Sequence, residues 1–237
     1  MCVLTFLPTS VSGFILTNNR DEAVARPKAI PPKQYTINGQ CLFMPKDTQA
    51  GGTWIATSQN YTLCLLNGAF EKHTPQPPYR QSRGQIILDF FQYNTISDFY
   101  QNYNFIGIEN FTLIIINHQN QTQICEIRWD GQALYNTSKN PTIPHIWSSA
   151  TLYSAEVMRQ REHWFKDFLQ QNPDFSGEDV VDFHRYGGTG DIQNDMTVNR
   201  NNELVTQCIM QINRVQKNLT FSFHDLLEQQ DFRYRVF

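Results

Sequence analysis

The sequence predicts an α+β fold, and three observations predict it. Short apolar runs of strand length, separated by turn residues, open and close the chain. Two regions, 82–102 and 154–185, switch to the period of a helix. The resulting order is strands, helices, strands, helices, strands, with antiparallel hairpins at both ends. A chain of 237 residues can bury a large core, and it reads as one domain, 1–237.

The elements follow in order. Residues 2–7 (Cys-Val-Leu-Thr-Phe-Leu) form a first strand, and Phe14-Ile15-Leu16 a second that ends in the polar cluster Asn18-Asn19-Arg20-Asp21-Glu22. Pro27, Pro31 and Pro32 make 26–33 an extended loop. A short strand at 40–43 precedes the turn at Gly51-Gly52. Two runs, 53–56 and 61–66, then form a hairpin around Ser58-Gln59-Asn60.

After a proline-rich loop at 75–78, Ser82 with Gln85 three residues on is a capping-box pattern. Ile86, Ile87, Phe90 and Phe91 supply that helix with an apolar face, and a second short helix spans 96–102. Strands resume at 111–117 and 123–129, with Asp130-Gly131 as the turn before 132–135, and an extended piece at 145–147. The longest helix runs over 154–171; Val157, Met158, Trp164, Phe165, Phe168 and Leu169 share its apolar face with one polar residue, Arg161. A helix over 176–185, capped by Asp179, ends at Gly187. Strands at 204–212 and 219–223 close the chain as a hairpin.

Composition excludes several function classes. A net charge of −3 with scattered Lys and Arg excludes the basic face of a nucleic-acid or membrane-surface binder. No apolar segment approaches the roughly 18 residues that span a bilayer. The N-terminus has no positive region followed by a long apolar one, so the expected location is cytoplasmic. Five cysteines without a Cys-x-x-Cys pair and six dispersed histidines lead us to expect no metal site and no cofactor. Cys64, Cys125 and Cys208 lie in strand-like runs and read as small buried hydrophobes. Nothing in the sequence sets the oligomeric state.

The strongest chemical signal is Cys2. Removal of Met1 leaves a thiol and a free α-amine on one residue, with ordinary pKa values of about 8.5 and about 8. Such a residue is a nucleophile with its own base. Downstream come Asn19-Arg20-Asp21-Glu22, Arg26-Pro27, Gly51-Gly52-Thr53-Trp54 and Ser82-Arg83-Gly84. In this order and spacing they resemble the NRDE-motif, or transport and Golgi organisation, family across the whole chain. That family in turn resembles the N-terminal-nucleophile hydrolases whose nucleophile is cysteine, among them choloylglycine hydrolases and penicillin V acylases.

The resemblance implies a four-layer αββα sandwich in which the first strand carries the nucleophile into a cleft between the two sheets. It gives Cys2, Arg20, Asp21 and Asn67 as the candidate catalytic residues. Cys2 attacks a carbonyl, Asp21 holds the amine, Arg20 favours the thiolate, and Asn67 donates to the oxyanion. Asn19, Glu22, Trp54 and Ser149 are the candidate substrate-binding residues. Each has a plainer reading. Arg20 and Asp21 can be a structural ion pair, Asn67-Gly68 a turn, and Trp54 a core residue.

Two departures from the acylase pattern stand out. Ser148-Ser149-Ala150 has Ser149 where the family carries an Asn, and 203–207 lacks the late-strand Arg. The implied function is hydrolysis of a non-peptide C–N amide bond in a small molecule through a thioester. The alternative is a non-catalytic carrier of a small molecule or haem in the same cleft, although no haem motif is present.

Overall fold

The computed structural model describes residues 3–9 and 13–237. The chain divides into two compact units. One comprises the chain up to Arg26 and from Thr142 onward; the other is Pro27–Pro141, so a proline stands at each end of the second unit.

Strands are numbered along the chain. The first unit holds β1 (Val3–Thr9), β2 (Gly13–Ala23), β10 (His145–Ser148), β11 (Asn199–Arg200), β12 (Leu204–Val215), β13 (Asn218–Asp225) and β14 (Gln230–Arg235). They form one antiparallel sheet in the order β10-β1-β2-β12-β13-β14, with β11 paired to β12. Val3, Leu7 and Ile15 put their side chains on the face that packs against Phe165, Val180 and Phe183. Those three come from the helices α3 (Ala155–Gln171) and α4 (Gly177–Tyr186). Alternation along a strand therefore sends the odd-numbered residues of β1 and β2 toward the helices and the even-numbered ones to the opposite face.

The second unit is a meander, β3 (Ile30–Ile37), β4 (Gln40–Lys46), β5 (Ile55–Thr57), β6 (Tyr61–Asn67), β7 (Phe111–Asn117), β8 (Gln123–Trp129) and β9 (Leu134–Lys139), paired in sequence order. The helices α1 (Gln85–Phe90) and α2 (Ile96–Asn102) contribute Ile86, Ile87, Phe90 and Phe99 to a core that includes Leu63, Leu65, Leu113 and Ile127 of the sheet. Among the described residues no helix is long and apolar enough to cross a membrane. No group of three or more His, Cys, Asp or Glu side chains is placed to hold a metal ion among them either.

Most expected elements are present, and the differences have physical causes. The proline-rich stretch is a strand: β3 starts at Ile30 and runs through Pro31 and Pro32. It lies at the sheet edge, with its register shifted between Ile30 and Lys33, so neither proline has to donate to a ladder. The expected capping box at Ser82 is absent. α1 begins after Gly84 with no side-chain cap, and the N–H of Gln85 donates to the Ser82 carbonyl instead. At α4 the box forms as expected, Ser176 and Asp179 each bonding the other's backbone N–H. The most consequential difference concerns β2. It does not stop at its apolar run but continues through the polar cluster to Ala23, with Asn18, Asn19, Arg20 and Asp21 all buried.

Two sequence motifs of the second unit prove to be one contact. A Cβ on Gly52 would stand 2.5 Å from the carbonyl carbon of Gly84, and one on Gly84 would stand 2.8 Å from the Thr53 carbonyl oxygen. The N–H of Thr53 donates to the Gly84 carbonyl at 3.1 Å. Only glycine at both positions lets these backbones meet.

Candidate functional site

Cys2 lies outside the described residues, so the site is built from what surrounds the start of β1. Val3 is paired with Asn19 of β2 on one side and Ser148 of β10 on the other. Arg20 follows Asn19 in β2, and Ser149 follows the last residue of β10; both are buried. Val3, the first described residue, is therefore paired with the immediate sequence neighbours of two of the expected site residues.

Arg20 and Asp21 are neighbours on β2 with opposite orientations. Asp21 shares the helix-side face with Asn19, and Arg20 takes the other face. A β-bulge in β12 serves both. Thr206 pairs with Asp21 and Cys208 with Arg20, leaving Gln207 as the extra residue. The Thr206 hydroxyl donates to Asp21 Oδ1 at 2.5 Å. The Arg20 guanidinium donates through Nη1 to Gln207 Oε1. The bulge shifts the register, so that Gln207 stands beside Arg20 while Thr206 stays opposite Asp21.

Arg20 also lies 3.6 Å from the Glu22 carboxylate, which is itself 3.6 Å from Arg26. Arg20 thus joins an Arg20–Glu22–Arg26 chain on one face, and Asp21 meets hydroxyls on the other. Asp21 Oδ2 accepts from the phenol of Tyr153, a residue sequence reasoning did not single out.

Asn19 reaches the helix layer. Its amide nitrogen donates to the carbonyls of His184 (3.0 Å) and Met196 (2.7 Å), so its oxygen is left to accept from His184 Nδ1 at 2.6 Å. With Nδ1 carrying the proton, Nε2 accepts from the Thr5 hydroxyl at 2.7 Å. Burial, reinforced by the nearby Arg161 charge, holds the His184 imidazole down at about 3, so the ring is neutral. This Thr5–His184–Asn19 clasp ties β1 and β2 to α4.

The three cysteines expected to be buried are buried, and their thiols are poor nucleophiles. Burial pushes Cys208 up to about 12, against the lowering influence of Arg20, and Cys125 up to about 11. Cys64 is raised further by the same cause.

In the second unit, Asn67 is the last residue of β6, opposite Phe111, and half-buried. Gly68 follows with φ +83°; its N–H donates to the Asn110 carbonyl at 3.0 Å and its carbonyl accepts from the Thr112 hydroxyl at 2.9 Å. Trp54 is 5% exposed, and its carbonyl accepts from the Leu65 N–H.

A hollow of about 690 Å³ in the first unit lies elsewhere, between α4 and strands β12–β14. Its lining includes Glu178, Asp182, Arg185, Ser222, His224 and Asp231, none of them a sequence-derived candidate. Within it, His224 lies 2.8 Å and Arg185 3.8 Å from Asp231.

A family model described as Transport and Golgi organisation 2 matches residues 1–221. A search of curated proteins gave no match. Solved structures do match, among them penicillin V acylase from Agrobacterium tumefaciens. That likeness has a TM-score of 0.58 at 10% identity and covers 100% of this chain and 86% of the other, which establishes the fold class. The shared fold is one of two antiparallel sheets with helices.

Proposed function

This chain belongs to the Transport and Golgi organisation 2 family, and on that premise we propose that it is an N-terminal-cysteine hydrolase of small-molecule amides. The observation that carries the reading is the placement of Arg20 and Ser149 beside the start of β1, with Asp21 next to Arg20 and braced by two hydroxyls.

In the proposed reaction the Cys2 thiol attacks the amide carbonyl and passes its proton to the Cys2 α-amine. The C–N bond breaks as that proton moves to the leaving amine, and a thioester remains. Water then attacks the thioester, the thiol recovers a proton, and the acid departs. Asp21, a carboxylate, suits the task of orienting the ammonium form of the amine through a charge-assisted hydrogen bond. Ser149 supplies one rotatable hydroxyl where an amide would supply a fixed N–H. That substitution favours a modest turnover, because one oxyanion donor is worth roughly 3 kcal/mol in the transition state.

The test is covalent labelling. The protein without Met1, incubated with a small activated ester, is expected to gain one acyl group, located at Cys2 by mass spectrometry and lost in Cys2→Ala. Asp21→Asn is expected to slow labelling while the protein stays folded. Labelling that persists in Cys2→Ala, or no labelling of a folded protein, would favour the carrier reading.

A further inference from the structure

The sequence placed one charge on the apolar face of the longest helix, Arg161, and the proposed reaction has not used it. Arg161 is fully buried. Its Nε donates to the Asn194 carbonyl and its Nη2 to the Asp195 carbonyl, while Nη1 has no partner. Among the described residues no carboxylate lies within ion-pair distance of it. A buried guanidinium without a counter-ion is costly, and an apolar side chain would fill the same space more cheaply.

What Arg161 faces is the ring of Tyr153, 3.7 Å from guanidinium to centroid. Arg200 also reaches this ring, at 5.0 Å, held by its bonds to the carbonyls of Leu152 and Gln193. Two cations against one phenol withdraw electron density from it and strengthen its O–H as a donor. That O–H is given to Asp21 Oδ2.

The second oxygen of Asp21 is held in a comparable way. Thr206 Oγ1 accepts the Val198 N–H at 2.8 Å, which turns its own proton toward Asp21 Oδ1. Four elements therefore converge on one carboxylate: β2, β12, the turn before α3 that carries Tyr153, and α3 itself.

We propose that Tyr153, gripped by Arg161 and Arg200, and Thr206 are positioning residues that fix the rotamer of Asp21 for the Cys2 chemistry; this rests on the hydrolase reading above. Neither residue touches substrate in this scheme. Each acts through Asp21, and Asp21 through the amine.

The experiment measures the rate of Cys2 acylation by a small activated ester from pH 5 to 9 in the full chain lacking Met1. Tyr153→Phe keeps the ring and its cation contacts and removes only the hydroxyl. It is expected to melt close to wild type, to label about ten- to a hundredfold more slowly, and to displace the pH profile. Thr206→Val is expected to do the same, and Thr206→Ser to restore the wild-type rate. A folded Tyr153→Phe with the wild-type rate and profile overturns the proposal and leaves Tyr153 as an anchor for α3. Should Tyr153→Phe not fold, the threonine pair decides: equal rates in Thr206→Val and Thr206→Ser overturn it. If the folded wild type is not acylated at Cys2, the hydrolase reading falls and takes this proposal with it, a result distinct from labelling that ignores Tyr153.

Discussion

His184 shows how much a single buried side chain can constrain. Its two ring nitrogens are satisfied only in the neutral tautomer, by Asn19 and Thr5, and its pKa is held at about 3. The unfolded chain protonates this ring near pH 6.5 whereas the folded one resists until far lower, so stability is expected to fall as pH drops below about 6.5. The slope approaches roughly 1.4 kcal/mol per pH unit from this residue alone. Imidazole NMR signals from His184 should show no titration between pH 8 and 4.5; a midpoint near 6.5 would refute the clasp.

Gln207 offers a second test at this scale. Gln207→Ala removes one acceptor from the buried Arg20 guanidinium and should cost about 2 kcal/mol in chemical denaturation. Legibility in the sequence was uneven here. Cys2 could be read from its place behind Met1, and Arg20 and Asp21 from the polar run that ends an apolar one. Tyr153, Thr206 and His184 could not, since a Tyr, a Thr or a lone His looks like any core residue until its partner 132, 185 or 165 positions away is known.

At the scale of elements, the sequence conveyed period and punctuation well and tertiary compensation badly. α2 and α3 end where the pattern ends, and Ser176 with Asp179 announced α4. The polar half of β2 was read as the end of a strand because buried Asn-Asn-Arg-Asp contradicts ordinary alternation. It survives because partners on β12 and α4 satisfy it on both faces. The bulge at Gln207 and the edge strand β14 left no signal in the pattern, as both depend on what lies alongside.

Two substitutions probe this scale. Ser176→Ala should lower stability by about 1 kcal/mol, read as a depressed melting temperature. Gly52→Ala drives a methyl group into the Gly84 backbone and should cost about 3 kcal/mol, with Gly84→Ala behaving alike. Wild-type melting in either glycine variant would mean that the two motifs do not meet.

For the molecule as a whole, topology rather than composition sets the behaviour. The first unit closes its sheet between β2 and β12, with Gln211 bonded to Thr17 across 194 positions. The second unit pairs every strand with its sequence neighbour. Local contacts form sooner than distant ones, so the second unit is expected to gain protection first in pulsed hydrogen exchange, and the β2–β12 ladder last. The same late closure assembles Arg20, Asp21, Thr206 and Gln207, so site formation and completion of folding should coincide.

That assembly has a purpose only if the chain presents a free amine and thiol to it. The intact mass of the protein purified from the cells that make it tests this most directly. The account predicts a polypeptide beginning at Cys2, whose mass rises by one acyl group on exposure to a small activated ester. A polypeptide that keeps Met1 would contradict it, because the nitrogen of residue 2 would then be an amide and could not accept the proton of the thiol.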